Sequence, residues 1–322
     1  MGYMQTNGKK GLGILMILGA ALCFALMNLF VRLAGDLPVM QKVFFRNLIA
    51  AFIAAAALLR EKEKFRIHTR CLPFLLLRAG LGFLGVVLNF YAIDHLNISD
   101  ASILNKLSPF FAILFSLLLL KERPTGRDLF FVLLAFSGAV FVINPSFSWE
   151  VLPAVAGFFS GACAGFAYTC VRVLGIRGER ANMTVFFFSA FSTFVSLPFV
   201  IAFYQPMDGW QLTSLLLAGV SAAGGQFCIT AAYRMAPAKE IAVFDYAQVP
   251  FAAILGFFFL DQIPGWNSYV GYAIIIGAAV LKWLFQRRSE KKAPRRQEDG
   301  ANMPEASAPP EPTEETKKDP SP

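Results

Sequence analysis

The sequence predicts an all-α membrane protein of ten transmembrane helices, arranged as two inverted five-helix repeats. Three observations carry that reading. First, the 322-residue chain is 56% hydrophobic and only 16% charged, whereas a soluble domain carries about a quarter charged residues. Second, the missing charge is absent from runs of roughly 18–25 residues, the length that crosses about 30 Å of hydrocarbon as helix. Third, one stretch is written twice. Ser108 to Pro124 reads SPFFAILFSLLLLKERP, and Val249 to Pro264 reads VPFAAILGFFFLDQIP. Each is led in by a proline and closed by a short polar turn ending in proline.

The spans are expected at 11–33, 39–59, 72–93, 99–120, 127–144, 151–174, 181–204, 211–234, 240–260 and 266–286. Residues 1–10 form a polar N-terminus. The first span lacks a small-residue cleavage site and is expected to be retained. Residues 11–144 and 151–286 form the two repeats. Span 1, with Gly19, Ala20, Ala21 and Ala25, ends Val31-Arg32, and span 6, with Gly161, Ala162, Gly165 and Ala167, ends Val171-Arg172. Gly138-Ala139 in span 5 answers Gly277-Ala278 in span 10, and Asp100 answers Glu240. Five spans per copy is an odd number, so the second copy enters upside down, the usual plan of secondary transporters.

Lys and Arg set the orientation. Alternate connections carry Lys9 and Lys10; Arg60, Lys62, Lys64, Arg66 and Arg70; Lys121, Arg123 and Arg127; Arg172, Arg177 and Arg180; and Arg234 and Lys239. The opposite connections, 34–38, 94–98, 145–150, 205–210 and 261–265, contain neither residue. A multi-pass protein of the inner or plasma membrane with both termini cytoplasmic is expected. The net charge of +8 is explained by that bias, not by nucleic acid. From Arg287 to Pro322 a basic cluster leads into a Pro-, Glu- and Ala-rich tail, expected to be disordered. The five cysteines sit in or beside apolar runs without metal-ligand spacing, and read as small packing residues. No P-loop, HExxH or clustered nucleophile–base set is present, so no enzyme, metal or cofactor is expected.

The pattern resembles the EamA branch of the drug/metabolite transporter superfamily over residues 11–285. The residues that carry it are Ala92, Leu96 and Ser99 to Ser102, then Pro109, the Lys121-Glu122-Arg123-Pro124 turn and Gly138. Their second-half counterparts are Ala232, Pro237, Glu240, Pro250, Pro264 and Gly277, with Gln262 where the first half has Glu122. The resemblance implies a ten-helix carrier, and its range of cargo runs from amino acids to nucleotide sugars, vitamins and organic acids.

Ionisable side chains inside spans cost a few kcal/mol each at mid-membrane and mark function. Four stand out: Arg46, Arg78, Lys106 and Asp245. With straight helices rising about 1.5 Å per residue, Arg46 and Lys106 lie roughly 5 Å outside the midplane, and Arg78 and Asp245 about 7 Å inside it. That depth suggests an inner Arg78–Asp245 pair and leaves Arg46 and Lys106 to hold the carboxylate or phosphate of a small organic anion. Snorkelling of Arg46 and Lys106, a purely structural inner pair, and proton coupling through Asp245 stay open. Arg32 and Lys42 add positive charge near the outer mouth. Ser102, Asn105, Tyr246 and Gln248 complete the expected substrate site. Asn28, Asn89, Tyr91, Tyr168 and Gln226 form a second tier, and Pro109 and Pro250 are expected hinges lining the pathway.

The leading functional expectation is a secondary active transporter for a small carboxylate-bearing organic anion or zwitterion, working by alternating access. An exporter of neutral or amino-acid-like metabolites is the alternative, and a lipid flippase a more distant one. The expected partners are a small-molecule substrate and the lipid bilayer. Protons as coupling ion and a homodimer are left open.

Overall fold

A computed structural model of the protein describes residues 2–121, 125–143, 151–235 and 242–292. Glu122, Arg123, Pro124, Glu150, Pro237, Lys239, Glu240 and the tail beyond Lys292 lie outside the described residues. Everything described is helix or connection, and ten segments are long and apolar enough to cross a membrane. The elements are α1 (Gly2–Leu33), α2 (Val39–Leu59), a 3₁₀ turn (Thr69–Cys71), α3 (Leu72–His95), α4 (Ile98–Asn105), α5 (Ser108–Leu119) and α6 (Gly126–Ile143) in the first half. The second half has α7 (Leu152–Ile176), α8 (Ala181–Ala202), α9 (Gly209–Met235), a 3₁₀ segment (Ala242–Ala247), α10 (Gln248–Leu260) and α11 (Trp266–Lys292).

The fourth and ninth spans are not single helices. Span 4 stops at Asn105 and restarts at Ser108, and span 9 enters as the 3₁₀ segment before becoming α10. Proline explains both breaks, because its ring supplies no N–H and collides with the carbonyl four residues earlier. Pro109 therefore sits in the first turn of α5, and Pro250 in the first turn of α10. At the first break the chain tightens, with the Lys106 N–H donating to the Ser102 carbonyl at 3.0 Å and Leu107 to Leu104 at 3.2 Å.

The packing maps onto itself when the halves are exchanged. Span 1 packs on spans 8 and 9, and span 6 packs correspondingly on spans 3 and 4. Spans 2 and 7, 4 and 9, and 5 and 10 each meet their own counterpart. With five spans in each half, that exchange turns one copy over, which is the inverted repeat.

Many small residues are buried inside the bundle, while many large apolar side chains cover its outside. Ala20, Ala21, Ala25, Ala79 and Ala101 are fully buried, whereas Phe194, Phe258 and Trp266 are more than 70% exposed. Small residues let backbones approach where lipid supplies no hydrophobic drive between helices. Span 6 uses this against the break in span 4. A Cβ at Gly161 would stand 2.6 Å from the Leu104 carbonyl oxygen, and one at Gly165 would stand 2.6 Å from that of Ser108.

The two ends are tied across the halves. At the Lys- and Arg-rich end, Arg180 donates to Glu61 at 2.6 Å and to the carbonyls of Lys64 and Arg66 at 2.8 and 2.9 Å. At the opposite end the Gln41 side chain donates to the Gln205 carbonyl at 2.9 Å and accepts from its N–H at 3.0 Å. Gln262 accepts from the Ile98 N–H at 2.9 Å, so the second half satisfies the start of α4.

Gly165→Leu should destabilise the protein by about 1–3 kcal/mol through overpacking. Gly175→Leu in the same helix, where a Cβ meets nothing within 4 Å, should change little. Thermal unfolding of the two purified variants in one detergent checks the difference.

Candidate functional site

The helix breaks meet each other. Lys106, at the gap in span 4, forms a part-buried ion pair with Asp245 in the 3₁₀ segment of span 9. The neighbouring Tyr246 hydroxyl donates to the Lys106 backbone carbonyl at 3.0 Å. One residue is thus gripped from the other half by both its ammonium group and its main chain. The second contact satisfies a carbonyl at the interrupted helix, as buried backbone requires.

This arrangement differs from the depth-based expectation. Asp245 does not pair with Arg78, and Lys106 is not an unneutralised outer cation. The reason lies in the breaks: span 4 is interrupted at Lys106 and span 9 is irregular around Asp245, so depths counted along straight helices do not decide which side chains meet. Lys42, too, is not a free charge at the mouth, because it is wholly buried and bonded to Asp94 at 2.6 Å. Arg32 donates to the Ile93 carbonyl at 2.8 Å.

Beside the clamp, between the halves, lies a cavity of about 110 Å³, several times the ~10–15 Å³ needed for one water. Arg46, Arg78, Asn105, Lys106 and Gln248 line it, as do the second-tier residues Asn28, Asn89, Tyr168 and Gln226. Ser102, Asp245, Tyr246 and Tyr91 are not among its lining residues. Ser102 is buried and accepts from the Asn28 amide at 3.0 Å, fixing that side chain from behind. Asn105 is oriented by a bond to the Ser160 hydroxyl at 3.1 Å. Neither proline lines the cavity, and Pro250 is exposed on the outside of the bundle. Their contribution is the break itself.

Arg46 from α2 and Arg78 from α3 are 3% and 7% exposed and face this cavity. Among the described residues neither forms an ion pair. Arg46 Nη1 donates to the Asn47 side-chain oxygen at 2.5 Å, while its Nε finds no partner. Arg78 leaves both Nε and Nη1 without one. Both guanidinium groups lie against one aromatic ring. Phe188 of α8 lies 5.7 Å from the Arg46 guanidinium carbon and 4.1 Å from that of Arg78, centroid to carbon. A ring face attracts a cation through its quadrupole without cancelling its charge.

Gly82, one turn beyond Arg78, gives this cluster its room. A Cβ there would collide with Arg78 Nη1 and come within 2.9 Å of the Phe188 ring. Neither Phe188, one of 34 phenylalanines, nor Gly82 carries a sequence signal that sets it apart from ordinary packing residues.

The arrangement can bind an anion between two forked donors, with amide groups available for neutral parts of a ligand. Comparison with known proteins agrees with the fold that frames it. The model of the EamA-like transporter family matches residues 11–144 and again 152–283. The chain belongs to the EamA-like transporter family. It is therefore a multi-pass membrane transporter and not an enzyme.

Among curated relatives, the pseudopaline exporter CntI of Pseudomonas aeruginosa is 33% identical over 271 residues, 83% of this chain and 94% of the exporter. Human solute carrier family 35 member G1 is 25% identical, covering 85% of this chain and 80% of the carrier. A riboflavin transporter of Brucella anthropi is 26% identical, covering 82% and 95% respectively. A solved crystal structure shares the fold with a TM-score of 0.63 at 19% identity, over 86% of this chain and 98% of its own.

The clamp in this EamA-like protein makes a defined energetic prediction. Asp245→Asn leaves Lys106 buried and unpaired and should cost about 3–5 kcal/mol. Lys106→Met combined with Asp245→Leu removes both charges and should unfold at a higher temperature than Lys106→Met or Asp245→Leu alone. A double-mutant cycle by thermal unfolding checks this.

Proposed function

We propose that this EamA-like protein is a secondary transporter that moves a small carboxylate-bearing organic anion or zwitterion by alternating access. The observation that carries the reading is the pair Arg46 and Arg78, buried beside one cavity with no carboxylate among the described residues spent on either. An unpaired buried cation is among the least favourable groups a protein can hold. A substrate anion supplies what the chain withholds. The cargoes for which relatives are named, pseudopaline and riboflavin, differ enough that family membership alone does not choose a substrate, so the choice rests on the lining chemistry.

Lys106 belongs to this reading in a changed role. It faces the cavity but is already neutralised, so it serves as a joint between the halves, with Arg46 and Arg78 as the anion-binding groups. Alternating access is supported by the twofold packing, by the broken spans 4 and 9 that meet at the cavity, and by polar ties at both ends that a rocking motion would open in turn. Lys and Arg enrichment in alternate connections supports an inner- or plasma-membrane location with both termini cytoplasmic.

Purified protein in liposomes should exchange labelled carboxylates with an unlabelled internal pool. Arg46→Gln and Arg78→Gln should each lower that exchange roughly 10- to 100-fold, the equivalent of losing charge-assisted hydrogen bonds. Wild-type exchange in both variants, with a neutral metabolite still carried, would instead establish the neutral-cargo reading.

A further inference from the structure

Among the described residues, the charge around the cavity does not sum to zero. Three cations line it: Arg46, Arg78 and Lys106. Among the described residues the acid in contact with them is Asp245, and it is spent on Lys106. Lys42, the other fully buried cation of α2, is spent on Asp94. Two positive charges remain, both on groups that stay protonated at any physiological pH.

Alternating access passes through a state closed at both ends. There the cavity loses bulk water, and uncompensated charge in a low-dielectric bundle becomes steeply unfavourable. A neutral or zwitterionic cargo would leave both charges in place, and a monoanion would leave one. Only a dianion closes the balance. Phe188 fits this role because it fixes both guanidinium groups without consuming their charge, and it does so from the opposite half of the protein. Gly82 keeps the space beside Arg78 open.

Resting on the anion reading above, we propose that the transported species binds as a dianion, with one negative charge for each of Arg46 and Arg78. The empty site, carrying two positive charges, then does not cross, and the protein works as an obligate exchanger of dianions.

The test uses the full chain reconstituted in liposomes and four sets of labelled probes: C4 to C6 dicarboxylates, butyrate as monocarboxylate, glutamine as zwitterion, and glycerol phosphate as phosphate monoester. Uptake is read into vesicles loaded with the same unlabelled compound and into empty vesicles. The expected result is dicarboxylate uptake that needs a loaded interior and exceeds butyrate uptake about ten-fold or more. Arg46→Gln and Arg78→Gln should each narrow that preference and bring butyrate into competition, because one charge then suffices. A merely structural loss would lower both probes alike.

Butyrate exchanged as fast as dicarboxylates, or dicarboxylates entering empty vesicles at the loaded rate, overturns the proposal. Exchange of glutamine alone overturns it while leaving the carboxylate or zwitterion reading intact. Exchange of glycerol phosphate alone supports the dianion and overturns the carboxylate reading. Movement of none of the four overturns both.

Discussion

A charge held inside an apolar bundle has to meet its opposite, and most of this structure is arranged around that constraint. Lys42 meets Asp94, and Lys106 meets Asp245. Nearer the membrane surface, Lys282 lies 3.4 Å from Asp128, and Arg180 meets Glu61. Each of these joins helices or connections distant in sequence, so each fixes how spans lie against one another. Arg46 and Arg78 break the rule at the cavity between the halves. The cost of keeping two cations unpaired is borne where a ligand can relieve it, which is how binding sites are usually distinguished from scaffold.

The scaffold supports this asymmetry with a symmetric backbone. Proline interrupts span 4 and span 9 at equivalent places, and the two interruptions face each other. Side chains then treat them differently. The first copy offers Lys106, and the second offers Asp245 and Tyr246 to hold it. Glycines of span 6 press against the break from behind, and Asn28 and Asn105 are held by serine hydroxyls. A cavity wall that includes two interrupted helices would otherwise lose its main-chain hydrogen bonds to no partner. The contacts around Lys106 supply a partner for its carbonyl and its charge together.

Much of this was legible in the residues, and the limits have physical causes. Hydropathy and the Lys/Arg bias gave the ten spans to within a few residues, because the bilayer fixes element length and exclusion of charge. The repeat followed from Pro109 against Pro250. The four intramembrane charges stood out for the same reason. Their pairing did not follow, since a depth scale built on straight helices fails where a span breaks or tightens to 3₁₀. Asp245 went to Lys106, which left Arg78 to join Arg46. Phe188 and Gly82 were invisible because their roles depend on span 7 lying over span 3, and nothing in a run of phenylalanines marks the one facing inward. Gln262, read only as a departure from the first-half Glu122, caps α4 across the halves.

Where an anion sits decides whether Arg46 and Arg78 form the binding site. The most direct measurement is a crystal structure of the protein soaked with a bromine-labelled dicarboxylate, with the bromine located by its anomalous scattering. A peak is expected in the cavity beside Phe188, with carboxylate density on both Arg46 and Arg78. A labelled carboxylate found elsewhere in the bundle, with both guanidinium groups left untouched, would contradict it.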